Sequence, residues 1–206
     1  MIVYVESNFI LEIAREQEEA SFARKILDLA ESGGIELAFP SFSLSETFST
    51  IKRQQEERNS LYNSLVETLK QLQRSEPHKR IMLDLESVLV VLNDAVNKEF
   101  GPLHSTVERM LSIGRSLETN VSSFRQAIVY QGQLSLRKQQ DSVIFSTIIA
   151  DLERRLPDET KCFLSRDKDF ADNPRIKSKL KPYRCSYLPS FKDGLYSIQN
   201  TLQKTE

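Results

Sequence analysis

Cysteine and histidine are scarce, with two of each in 206 residues. Two cysteines do not make a disulfide scaffold. Cys162 and Cys185 stand in apolar, strand-like surroundings, where a free thiol behaves as a small buried hydrophobe. His78 and His104 sit in polar or turn-like contexts without Cys or His at zinc spacing, so both read as surface residues. An excess of charge is also missing. Against 28 Lys and Arg stand 29 Asp and Glu, a formal charge of -1, so no global basic field advertises nucleic acid and any such site is a local patch. No apolar run approaches the length needed to span a membrane. Met1 leads almost directly into a strand-like segment, with no basic start, apolar stretch or cleavage site, so no secretory signal is expected and the cytoplasm is the expected location. Internal repeats and low-complexity segments are absent.

What the chain does have is acids at the junctions of strand-like and helical runs. Glu6 follows Ile2-Val3-Tyr4-Val5, Glu46 lies just beyond Ile35 to Phe39, Asp141 opens Val143 to Leu152, and Asp167 follows Cys162-Phe163-Leu164. Strand, helix, strand in that order predicts a parallel sheet. In such a sheet the carboxyl ends of the strands form the binding crevice, so the acids are expected to converge at one edge. Carboxylates in close quarters raise one another's pKa and resist joint ionisation. A hard divalent cation relieves this, and oxygen-only ligands suit Mg²⁺ or Mn²⁺ completed by water and substrate phosphates. The pattern predicts a metal-dependent enzyme acting on phosphates.

Each acid also has a local explanation. Glu46 fits the capping box Ser43-Leu44-Ser45-Glu46, and Asp141 fits an N-cap for a helix beginning at Ser142. Asp167 and Asp169 fit turn and cap positions after a strand. Glu6 fits a solvated strand end, with Ser7 or Asn8 capping the first helix.

The coarse organisation is α/β at both ends and helical in the middle. After the first strand comes a helix with Phe9, Ile10, Ile13 and Ala14, then a second with Phe22, Ile26, Leu27 and Leu29 that stops at Gly33-Gly34. Ile35 to Phe39 reads as a strand. Helical spacing then runs through Ile51, Leu61, Leu65, Leu69 and Leu72, and through Ile81, Leu85, Val88, Leu92 and Val96. Gly101-Pro102 interrupts it, and Val107, Met110, Leu111, Leu117, Val121, Phe124 and Ile128 resume it. The segment from about 54 to 133 is read as amphipathic helices inserted into an α/β frame. Beyond it, Asp141 to Leu156 reads as a helix, Lys161 to Leu164 and Arg184 to Tyr187 as strands, and Phe191 to Leu202 as a closing helix before a frayed tail from Gln203.

Four segments together resemble the PIN domain family of metal-dependent ribonucleases: Val5-Glu6-Ser7-Asn8, Ser43-Leu44-Ser45-Glu46, Gln140-Asp141-Ser142-Val143-Ile144, and Leu164-Ser165-Arg166-Asp167-Lys168-Asp169-Phe170. In that family the first strand ends in an acid followed by a small hydroxyl residue and Asn, a glutamate opens a helix after the second strand, and two later aspartates complete the site. Phe191-Lys192-Asp193-Gly194-Leu195 also resembles the segment leading into the last helix of larger bacterial PIN-like proteins. The similarity covers residues 1–53 and 134–206, so the resemblance implies one PIN-like domain over 1–206 with a helical insertion at about 54–133. Its implied fold is a three-layer α/β/α arrangement around a central parallel sheet. One departure stands out: the family's first acid is ordinarily Asp, and Glu6 occupies that place, a longer but still competent oxygen ligand.

The activity this implies is endoribonuclease hydrolysis of RNA phosphodiesters by water activated on Mg²⁺ or Mn²⁺. Glu6, Glu46, Asp141 and Asp167 would hold one or two ions, with Asp169 as an accessory ligand. Ser7, Asn8 and Ser165 would orient the carboxylates by hydrogen bonds. Single-stranded or looped RNA is the implied substrate, and Lys52, Arg53, Arg137, Lys138, Arg166 and Lys168 are candidate phosphate contacts. A phosphatase with an aspartyl nucleophile would need Asp at 6 and 8, and fails at Asn8. A noncatalytic protein or RNA interaction module, inactive through Glu6, stays open, as do a toxin of a toxin and antitoxin pair, a homodimer and an inhibitory protein partner.

Overall fold

The computed structural model describes residues 1–72, 74 and 82–204, and of residues 82–86 and 95–97 it describes the backbone alone. His78, Ile81 and the side chains of Leu85 and Val96 therefore lie outside the described residues. By compactness the chain divides into two units, Met1–Thr47 with Leu103–Glu206, and Phe48–Pro102. The acids and the sheet belong to the first.

Five strands form that sheet: β1 (Ile2–Val5), β2 (Glu36–Pro40), β3 (Arg115–Leu117), β4 (Lys161–Leu164) and β5 (Cys185–Leu188). Their order is β3-β2-β1-β4-β5, and every pairing is parallel. The chain builds outward from β1 on one side and returns to place β4 on the other. The carboxyl ends of β1 and β4 are thus adjacent at the point where strand order reverses, with Val5 in register with Leu164. Whatever follows Val5 must face whatever follows Leu164.

Both faces are covered, which is why the central strands are continuously apolar rather than alternating. On one face Ile2, Tyr4 and Phe163 join a core with Ile144, Phe145 and Ile148 of α7 (Gln139–Leu152) and with Phe170 and Ile176. On the other, α1 (Ser7–Ala14) and α2 (Ala20–Glu31) pack together, and α10 (Phe191–Gln203) packs on α2. Phe9 and Phe191 meet edge to face at 5.3 Å there. Gly194 lets α10 approach β4, because a Cβ at that position would come within 2.8 Å of a Leu164 methyl. Of the described residues no helix is long and apolar enough to cross a membrane.

Several local readings hold. Gly33 adopts φ +78°, and the Gly34 and Gly33 amides donate to the carbonyls of Leu29 and Ala30, closing α2 in a Schellman motif. Both cysteines are buried and free. His104 is exposed.

Other readings need correction. Leu117 does not continue a helix: α5 (Phe100–Ile113) ends at Gly114, β3 follows, and α6 (Val121–Gln133) starts afresh on an Asn120 cap. The interruption read at Gly101-Pro102 is present but lies two residues earlier, at Glu99, between α4 (Met82–Lys98) and the start of α5 just ahead of Gly101 and Pro102. Both sit in the first turn of α5, where proline's missing N–H has no intrahelical partner to lose. Glu46 lies in the second turn of α3 (Ser41–Leu72), which begins directly after Pro40, so it is not part of a capping box. Asp141 is the third residue of α7, whose cap position is Lys138, so it is not an N-cap. Its placement at the helix start needs another reason. Neither Ser7 nor Asn8 caps α1, since Glu6 itself occupies that role.

The second unit contains most of α3 and α4 (Met82–Lys98), with an ion pair between Arg58 and Glu99 at 2.6 Å. Leu61 and Val88 are exposed in it.

Candidate metal centre

Glu6 is held more tightly than any other acid of the group. It is 2% exposed at the end of β1, and its Oε2 accepts from the Asn8 amide at 2.9 Å and from the Ser7 hydroxyl at 2.8 Å. From β4 the Ser165 hydroxyl donates to its Oε1 at 2.9 Å. Burial raises its pKa to about 7, against the lowering effect of these three donors and with help from the Glu46 charge. The hydroxyl of Ser7 also lies 2.7 Å from Glu46 Oε2, so one serine bridges two carboxylates. Glu46 is likewise pushed up by burial, which outweighs Ser7 and Lys138.

Asp167 follows β4 and caps the short helix α8 (Lys168–Ala171), with Oδ1 accepting from the Asp169 amide at 2.7 Å. The cap reading of Asp167 is therefore right, yet it leaves Oδ2 free of backbone duty. That oxygen points to the Lys138 ammonium at 3.2 Å. Asp141 reaches the same place from α7. Its side chain is 6% exposed, its Oδ2 is buried without a hydrogen-bond donor, and the nearest cation is Lys138 at 3.9 Å. Burial and then the Asp167 charge push Asp141 up to about 7. One carboxylate oxygen from each of Asp141, Asp167 and Asp169 lies within 4.8 Å of the others.

A buried carboxylate oxygen without a donor is costly. Set among further acids, it fits the oxygen donor set of a hard divalent cation, and the residues present suit Mg²⁺ or Mn²⁺. Asp141, Asp167 and Asp169 are the acids that close on one point. Glu6 and Glu46 are coupled to them by charge: both raise Asp141, and Asp167 raises Glu46.

The cations predicted beside the acids separate into groups. Lys138 sits at the acids. Arg166 Nη1 contacts both oxygens of Glu12 at 2.8 Å, and Nη2 reaches Glu18 at 3.2 Å. Arg137 and Lys168 are exposed beside the aspartates, while Lys52 and Arg53 are exposed in the second unit. Glu12 itself was not singled out from sequence. The sequence does signal it, as a lone charge inside the apolar run Phe9 to Ala14, and the fold buries it to 2% exposure.

No family model and no curated protein matches the chain. Among solved structures it is similar to a chain of the "Crystal structure of VapBC2 from Rickettsia felis bound to a DNA fragment from their promoter", at a TM-score of 0.42 and 12% identity. The match covers 91% of this chain and 99% of that one. The five-stranded parallel sheet flanked by helices itself fits the PIN-like fold.

Proposed function

We propose that this protein is a Mg²⁺- or Mn²⁺-dependent ribonuclease that hydrolyses phosphodiester bonds of single-stranded or looped RNA. The observation that supports it best is the buried, donorless Oδ2 of Asp141, grouped with carboxylate oxygens of Asp167 and Asp169. Asp141, Asp167 and Asp169 would hold the ion, with Glu6 and Glu46 completing the negative field. A divalent ion in such a setting supplies Lewis-acid polarisation of the phosphate and lowers the pKa of water.

The chain's own groups do the positioning. Ser165, Ser7 and the Asn8 amide fix the Glu6 carboxylate, and Ser7 transmits that order to Glu46. The Asp169 amide fixes Asp167 through Oδ1 and leaves Oδ2 turned toward the cation side. Lys138 offsets part of the repulsion between Asp141 and Asp167, and would meet a phosphate oxygen once the acids are neutralised.

A noncatalytic reading has one observation in its favour. Both oxygens of Glu6 already accept hydrogen bonds, which suits a framework acid as well as a ligand. Cleavage decides between them. Purified protein with labelled single-stranded RNA should cut in Mn²⁺, stop in EDTA and resume on adding Mn²⁺, and Asp141→Asn with Asp167→Asn should abolish cutting. RNA left intact in Mn²⁺ contradicts the nuclease reading, and cutting that ignores EDTA belongs to a contaminant.

A further inference from the structure

The acids are flanked by two grooves of opposite charge balance. One is lined by Asn8, Glu12, Gln17, Glu18 and Arg166, where a single cation faces two carboxylates and is already paired with both. The other, of about 500 Å³, lies between the turn at Leu134 to Arg137 and the segment from Lys168 to Arg175. Three cations, Arg137, Lys168 and Arg175, line it against Asp169 and Asp172. Asp169 belongs to the metal triad as well, so this groove opens onto the acids.

Its walls are tied together. Asn173 Nδ2 donates to the Leu134 carbonyl at 2.5 Å, and Arg175 Nη1 donates to the Gln133 carbonyl at 2.7 Å and to Ser135 Oγ at 3.1 Å. Ser135 takes φ 55°, a left-handed conformation that a non-glycine residue holds only where its surroundings fix it. Arg175 thus braces the turn through neutral oxygens and keeps its charge uncommitted. Among the described residues, Arg137 and Lys168 also have no carboxylate within ion-pair reach, unlike Arg115, Arg155 and Arg166.

We propose that this groove seats the phosphodiester backbone of a single nucleic-acid strand as it leaves the acids, with Arg137, Lys168 and Arg175 on its phosphates. The strand takes this flank because the Glu12 and Glu18 side repels it. The proposal deepens the nuclease reading by giving the substrate a path, and it rests on that reading for what happens at the end of the path. Arg175 is the residue it adds.

Binding separates the two ideas. The chain carrying Asp141→Asn, which removes cleavage on the nuclease reading, is titrated with labelled single-stranded RNA and with DNA of the same sequence, by anisotropy across a salt series. Arg137→Gln with Lys168→Gln should weaken binding severalfold and reduce the salt slope by about 0.7 for each phosphate that is no longer neutralised. Arg175→Gln should do the same. Arg175→Lys, which retains charge, checks that loss of the brace is not the cause, and a thermal melt of each variant confirms folding. Because phosphates carry no sugar identity, RNA and DNA should lose equally. An unchanged salt slope, or a loss confined to RNA, overturns the groove. A groove-dependent slope in a wild-type chain that never cuts RNA would instead overturn the nuclease reading alone, and normal cutting with an indifferent groove overturns only the path.

Discussion

Ser165 donates its hydroxyl proton to Glu6 Oε1 at 2.9 Å across 159 positions of sequence. The contact exists because β1 and β4 are parallel neighbours in register, which sets the residues after Val5 and Leu164 side by side. The same hydroxyl accepts from the Asp167 amide at 3.0 Å, so one serine joins Glu6 to Asp167.

Ser165→Ala removes one of three donors from a buried carboxylate. Above about pH 7, where Glu6 is ionised, the loss should cost about 1–3 kcal/mol in denaturant unfolding, as for hydrogen bonds to buried charged groups. At about pH 5 Glu6 is protonated and the cost should shrink. An equal loss at both pH values would show that Ser165 acts only through packing.

The raised acids set a pH dependence of known sign. Glu6 and Asp141 are pushed up to about 7 from ordinary values of 4.5 and 3.8, so the folded chain binds more protons than the unfolded chain between those limits. Stability from these groups is full below about pH 4 and is lost as pH rises to about 7. Without metal, melting temperature should fall across that window. Mg²⁺ or Mn²⁺ should raise it more at about pH 8 than at about pH 5.5, because protons compete for the same oxygens.

Asp141→Asn keeps the shape and removes the charge. In EDTA at about pH 8 this variant should melt above wild type, since a neutral amide escapes the repulsion of Asp167, Glu46 and Glu6. The double variant with Asp167→Asn should show no metal-induced shift. A full shift in the double variant would place the metal elsewhere.

Asp151 provides a contrast. It is bonded to Tyr4 Oη at 2.7 Å and to Arg115 at 2.8 Å, and Arg155 joins it to Glu36. Its pKa is lowered, because the Arg115 and Tyr4 donors outweigh burial. Asp151→Ala should cost about 2 kcal/mol or more by stranding its partners, yet leave the metal-induced shift intact. A lost shift there would mean that the shift reports general stability.

The sequence made the central strands and the acids legible for a simple reason. Ile2 to Val5 and Cys162 to Leu164 are apolar on both faces, and an acid directly after such a strand has only the sheet edge to occupy. The strand β3 was illegible, because three residues with Leu117 alone buried give no period of two, and flanking helical spacing absorbed it. The start of α7 was misread for a related reason: Gln139 and Gln140 carry no cap signature, so Asp141 looked like the boundary. Arg166 reads from sequence as a candidate phosphate contact because its partner Glu12 is 154 positions away, a pairing that only the fold creates. Lys138 was legible as a cation near acids, but its approach to both Asp141 and Asp167 depends on α7 and β4 meeting.

Manganese carries the most direct test. Crystals grown with Mn²⁺ and measured at its absorption edge should show an anomalous peak bound by Asp141 and Asp167 within about 2.3 Å, the range of hard-cation oxygen ligands. Well-ordered crystals saturated with Mn²⁺ that show no peak at these carboxylates, or a peak only at some other surface, would contradict the account.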